Sequence, residues 1–144
     1  MNAFKILAGL KILLIDDNEI IRDTLAMFFE YKKCAIKAVA TAEEGLGTLE
    51  SERFDVIICD CSLPGLNGVE FFRLVVAYYP NTIKVLISGF ARQNEIVEAL
   101  EMGVDAFIKK PFSLSAMLEQ LTPLVEKYQA ANRNRRPPMK KNNS

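Results

Sequence analysis

The 144-residue chain contains no histidine, and that absence removes whole classes of chemistry. No Ser-His or Cys-His catalytic pair can form, and a zinc site is excluded with them. Cysteine is scarce as well. Cys34, Cys59 and Cys61 are odd in number and lack the CxxC spacing of a metal or redox centre. They read as small apolar residues in a reducing compartment. No apolar run is long enough to span a membrane. The opening "MNAFKILAGLKILLIDD" is interrupted by Lys11, ends in Asp16-Asp17 and lacks a convincing cleavage site for a signal peptide. The sequence therefore reads as cytoplasmic.

What is present suits one domain with a large core, since 50% of the residues are hydrophobic and 25% charged. The formal charge is zero but unevenly spread: all 18 acidic side chains precede Gln129. Beyond it stand Arg133, Arg135, Arg136, Lys140 and Lys141 without an acid. The acidic body argues against nucleic acid as the partner of the folded part.

Two periodicities alternate along the chain. Apolar or β-branched runs occur at "KILLID" (11–16), "CAIKAVA" (34–40), "DVIICD" (55–60), "IKVLIS" (83–88) and "DAFIKK" (105–110). Between them apolar residues recur at helical spacing, as in Ile21, Leu25 and Phe28, or Leu114, Met117 and Leu121. Thr41 and Glu44 have capping-box spacing, Gly103 marks a helix stop, and Ser113 a helix start. Pro123 should kink or weaken the last helix. Five strands alternating with five helices predict an α/β fold, a parallel sheet covered on both faces. The expected organisation is an N-terminal extension over 1–10, the domain over 11–128, and a basic, disordered tail over 129–144.

In such a sheet, ligands bind outside the carboxyl ends of the strands. Those ends carry Asp16-Asp17, Asp60, Ser88 and Lys109-Lys110-Pro111. Each alone reads as a helix cap or a turn. Together they place three carboxylates, a hydroxyl and an ammonium at one rim. Two unit charges 4 Å apart repel by roughly 4 kcal/mol at an effective dielectric near 20, so the cluster requires a counter-cation. An all-oxygen donor set favours magnesium, or manganese, over softer metals. The site is thus suited to bring a phosphoryl group to a carboxylate. Asp60 is the central candidate for nucleophile, with "SLPGLNG" able to curl over it. Of the two adjacent lysines only one can reach the site, because they point to opposite faces of their strand. The bond before Pro111 can be cis.

The pieces "LLIDDN", "VIICDCSLPGLNG", "VLISG" and "DAFIKKPF" resemble the receiver domain of bacterial response regulators, over residues 11–128. The resemblance implies a flavodoxin-like (βα)5 sandwich with strand order 2-1-3-4-5. It implies Asp60 as phospho-acceptor, Asp17 binding Mg2+ directly, Asp16 through water, and the Ser62 backbone carbonyl as a further metal ligand. Lys110 would contact the phosphoryl group, and Ser88 with Phe107 would form the switch pair. Ser62 and Phe90 occupy positions that tune phosphate lifetime in that family. The readout surface would be the fourth helix, fifth strand and fifth helix.

The implied partners are a sensor histidine kinase or phosphotransfer protein, an effector, and a second copy of the domain on phosphorylation. Neither nucleic acid nor membrane is expected to contact the domain directly. The chain would be a stand-alone switch or a piece of a longer regulator, an enzyme only toward its own phosphorylation and dephosphorylation. Two other readings remain. A Mg2+-dependent phosphohydrolase would commonly carry a second Asp two residues after the nucleophile, where this chain has Ser62. A phosphate-independent interaction module would usually lack some of the acidic or lysine positions, all present here.

Overall fold

The computed structural model describes residues 6–135. Five strands alternate with five helices: β1 (Lys11–Ile15), α1 (Glu19–Tyr31), β2 (Ala35–Val39), α2 (Ala42–Ser51), β3 (Val56–Asp60), α3 (Gly68–Val75), β4 (Ile83–Ser88), α4 (Gln93–Met102), β5 (Ala106–Lys109) and α5 (Leu114–Arg135). The strands form one parallel sheet in the order β2-β1-β3-β4-β5, as expected from the resemblance.

Successive side chains of a strand point to opposite faces, which accounts for runs without polar alternation. Ile12, Leu14, Val56, Ile58, Val85 and Ile87 pack beneath α1 and α5. Leu13, Ile15, Ile57, Cys59 and Leu86 pack beneath α2, α3 and α4. Every residue of β3 and β4 is buried, whereas β2 at the sheet edge is largely exposed. Each fully buried Leu or Ile contributes roughly 1.5–3 kcal/mol, so the central strands are stiffly held. The predicted caps form: Thr41 and Glu44 close a capping box on α2, and the Ser113 hydroxyl accepts the Ala116 N–H at 3.0 Å. Gly103 ends α4 at φ +121°.

The ends of the chain depart from the expectation. Within the supposed extension over 1–10, Ile6, Leu7 and Leu10 are buried in the α1/α5 core. Likewise, α5 runs through Pro123 to Arg135, so residues 129–135 are helix rather than disordered tail. The two departures share a cause. The Gln129 side-chain amide donates to the Ile6 carbonyl at 3.1 Å, and Tyr128 and Leu124 pack on the cluster that holds Leu7. Docking against the N-terminal segment overrides the polar composition of the last turns. Residues 1–5 and 136–144 lie outside the described region.

Candidate functional site

Strand β1 ends at Ile15, the Asp16 N–H still donates to the Val39 carbonyl of β2 at 3.1 Å, and Asp17 and Asn18 then turn the chain into α1. The Asn18 side chain accepts the Ile21 N–H at 3.1 Å and so caps that helix. The Asn18 N–H donates to Asp16 Oδ1 at 2.9 Å, and the Arg22 guanidinium donates to the Asp16 carbonyl at 2.9 Å. Asp16 is wholly buried, while Asp17 is exposed and lines a cleft of about 780 Å³. The paired acids thus divide into one fixed beneath the site and one open to it.

Asp60, at the end of β3, is only 4% exposed. Lys110 Nζ lies 3.2 Å from Asp60 Oδ2 and 2.9 Å from Asp16 Oδ2. Toward Asp60 the ammonium donates a hydrogen bond. Toward Asp16 it is close but misaligned, so Asp16 Oδ2 is buried with an ion-pair partner and no hydrogen bond. Burial pushes the Asp60 carboxyl above its ordinary range, and the Asp16 charge adds to this against the pull of Lys110 and the Ser62 N–H. For Lys110, burial acts downward, but the pairs with Asp16 and Asp60 outweigh it and hold the ammonium above its usual value. One cation serves two carboxylates here, and Asp17 adds a third.

Ser88 ends β4 and is 1% exposed. Its hydroxyl accepts the Phe90 N–H at 3.0 Å, and its carbonyl accepts the Lys110 N–H at 2.9 Å. The Lys110–Pro111 peptide is cis. Lys109 is exposed, so of the two lysines it is Lys110 that reaches the acids. Ser62 lines the cleft, its N–H 3.4 Å from Asp60 Oδ1. Of the predicted residues, Asp17, Asp60, Ser62, Ser88 and Lys110 line one cleft, with Asp16 under its floor. Phe107 does not line it: paired with Leu86 in the sheet, it packs half-buried on the α2–α4 side. Sequence reasoning missed Asn18 and Arg22. Asn18 directly precedes an acidic first turn, a cap signal that was readable. Arg22 carried none, since its partner is a backbone carbonyl six positions back.

The residues fit a divalent cation. Asp16, Asp17 and Asp60 each offer a carboxylate oxygen, all within 4.8 Å of one another. The unbonded Asp16 Oδ2 is the kind of buried acceptor such an ion satisfies directly or through its water.

Comparison with known proteins agrees with this geometry. Residues 12–122 match the family model described as response regulator receiver domain. The transcriptional regulatory protein FlgR of Helicobacter pylori is 31% identical over 113 residues, covering 78% of this chain and 29% of FlgR. A cyclic di-GMP phosphodiesterase of Thermotoga maritima is 30% identical over 112 residues, covering 77% of this chain and 30% of that protein. A CheY-like receiver domain structure from Methanospirillum hungatei superposes with a TM-score of 0.83 at 28% identity, covering 86% of this chain and 99% of that one. The chain spans between 23% and 50% of the length of the first curated relatives it matches. The descriptions of these relatives differ, a transcriptional regulatory protein in one case and a phosphodiesterase in another. No described helix is long and apolar enough to cross a membrane. With a matching family model over most of its length, the chain belongs to the response regulator receiver family, the phospho-accepting switch domains of two-component signalling.

Proposed function

We propose that Asp60 is the residue that takes the phosphoryl group. The observation that carries this is its position: a nearly buried carboxylate, bonded to Lys110, within 4.8 Å of two further acids. A carboxylate oxygen of Asp60 attacks phosphorus, a P–O bond forms, and the bond to the donor breaks. With a phosphohistidine donor, the leaving imidazole nitrogen keeps the bonding electron pair and takes a proton from solvent. Lys110 follows the charge from the carboxylate to the new phosphoryl oxygens.

Asp16, Asp17, Asp60 and the Ser62 carbonyl would hold Mg2+, with Mn2+ as a substitute, Asp17 directly and Asp16 through water. When bound, the ion neutralises the acidic cluster and the incoming phosphoryl oxygens. Phosphorylation adds close to two negative charges and three acceptor oxygens. The Ser88 hydroxyl, whose oxygen accepts the Phe90 N–H, keeps a proton to donate to them. Its movement frees space behind it for Phe107 on the neighbouring strand, altering the α4–β5–α5 surface read by an effector. Moving such a switch from 1:99 to 99:1 takes about 5.5 kcal/mol, within reach of a few charge-assisted hydrogen bonds. The domain turns over no substrate beyond its own phosphoryl group. A histidine kinase or phosphotransfer protein supplies it, and three buried free cysteines accord with a reducing cytoplasm.

Intact-mass spectrometry after incubation with acetyl phosphate tests this, with and without Mg2+ and with Asp60→Asn beside the wild type. One metal-dependent phosphoryl adduct, absent in the variant, is expected. An adduct that persists in Asp60→Asn would move the acceptor elsewhere, and no adduct under any condition would end the reading.

A further inference from the structure

The loop between β3 and α3 brings Ser62 to the cleft, and its two ends are fixed by backbone bonds. The Cys61 N–H donates to the Ile87 carbonyl at 2.8 Å, and the Gly68 N–H to the Cys61 carbonyl at 3.0 Å. The outer bend, Pro64-Gly65-Leu66, is tethered from another element. Glu43, in the first turn of α2, accepts the Leu66 N–H through Oε2 at 3.0 Å. Gly65 has φ +71°, and a Cβ there would come within 3.0 Å of that same oxygen. The carboxylate therefore lies directly along the bend, against a residue whose conformation favours glycine.

Two adjacent glutamates divide their tasks. Glu44 completes the capping box with Thr41, leaving Glu43 without a role in closing the helix. The helix that carries Glu43 is itself locked to the other half of the site. A Cβ on Gly45 would stand 2.4 Å from Ile15 Cδ1, so α2 sits on the last residue of β1, directly before Asp16-Asp17. Ala42, at the start of α2, is fully buried. A chain of close contacts thus runs from Asp16-Asp17 through Ile15, Gly45 and Glu43 to the loop that holds Ser62.

We propose that Glu43 is a positioning residue of the metal site, fixing the Ser62 loop at a set distance from Asp16 and Asp17 by way of α2. This rests on the reading of the acidic cluster as that site. The hydrogen bond from the Leu66 N–H to Glu43 ties the outer bend to α2, in addition to the packing of Leu63 and Leu66 on the core. Partners outside the ligand shell commonly tune metal affinity in this way.

Mn2+ binding to the full chain, read by electron paramagnetic resonance of the free ion without any phosphodonor, tests the role. Glu43→Asp keeps the charge and shortens the reach. Glu43→Gln loses the charge and keeps an oxygen that can accept from Leu66. Glu43→Asp should weaken Mn2+ about threefold to tenfold, the scale of one lost hydrogen bond, with Leu66 amide exchange accelerated. Glu43→Gln should stay within about twofold of wild type on both readouts, allowing for the lost charge. Unchanged affinity in Glu43→Asp overturns the proposal, as does a larger loss in Glu43→Gln than in Glu43→Asp. Asp17→Asn in the same titration separates the two readings. If it binds Mn2+ as the wild type does, the metal site itself is misassigned and the role of Glu43 falls with it. A weakened Asp17→Asn beside an unaffected Glu43→Asp removes only the role of Glu43.

Discussion

Gly68 is packed so closely on Asp60 that a Cβ at that position would stand 2.3 Å from the Asp60 carbonyl oxygen and 2.8 Å from the Cα of Cys61. The first residue of α3 therefore rests on the end of the strand that carries Asp60, with no room for a side chain. The obstacles are backbone atoms, which cannot swing aside as a flexible side chain can.

Gly68→Ala should accordingly lower stability by about 2 kcal/mol or more, as overpacking at a fixed contact does. A reduced midpoint in urea at unchanged slope is the expected result. Wild-type stability would mean that α3 can slide along β3 without loss, and that the close approach is incidental.

Asp60 and Asp16 share Lys110, and the strain of that arrangement has a pH signature. Folding raises the Asp60 pKa, chiefly by burial and then by the Asp16 charge. A raised carboxylate contributes favourably only where it is protonated, below its unfolded value near 3.9, and that contribution is lost as pH rises through the folded value. Asp60→Asn should therefore stabilise the metal-free protein by about 1 kcal/mol at pH 7. The advantage should shrink as pH falls into the carboxylate range. A destabilised variant, or a gain independent of pH, would show that Lys110 already compensates both acids.

At the opposite end of the sheet, the Tyr128 hydroxyl donates to Asp55 Oδ1 at 2.5 Å, and Asp55 Oδ2 accepts the Lys11 N–H at 2.8 Å. Burial, then the bond to Asp55, pushes the phenol up to about 12. The folded state holds this proton more tightly than the unfolded chain does. Its contribution is thus complete below about pH 10 and lost between about 10 and 12. Tyr128→Phe should cost about 1 kcal/mol at neutral pH. The gap between wild type and variant in chemical unfolding should close above pH 10. A constant gap through pH 12 would leave packing of the ring, not its hydroxyl, as the source.

Much of the site was readable before folding was considered, because it lies where runs end. A run such as "VIIC" can have no solvent face in a parallel sheet, so the first polar residue after it marks the strand's carboxyl end. Asp60, Asp16-Asp17 and Ser88 were located by that rule, and Lys110 by its proline. Arg22 was not, since a guanidinium bound to a carbonyl leaves no pattern in sequence. Nor was the helical state of 129–135, because local polarity said tail while Ile6 and the Tyr128–Asp55 bond, both distant in sequence, held helix.

By itself the sequence determined the alternation of strands and helices, the burial of the central strands and the identity of the rim residues, because each depends on neighbours within a turn or a strand. Only the tertiary structure decided how those residues divide their work. It buried Asp16 while leaving Asp17 open, set the Lys110 ammonium between Asp16 and Asp60, packed Phe107 among the α2–α4 helices outside the cleft, and reached Glu43 across to the Ser62 loop. These depend on distances between elements far apart in the chain, and close packing of the two apolar faces is what sets them.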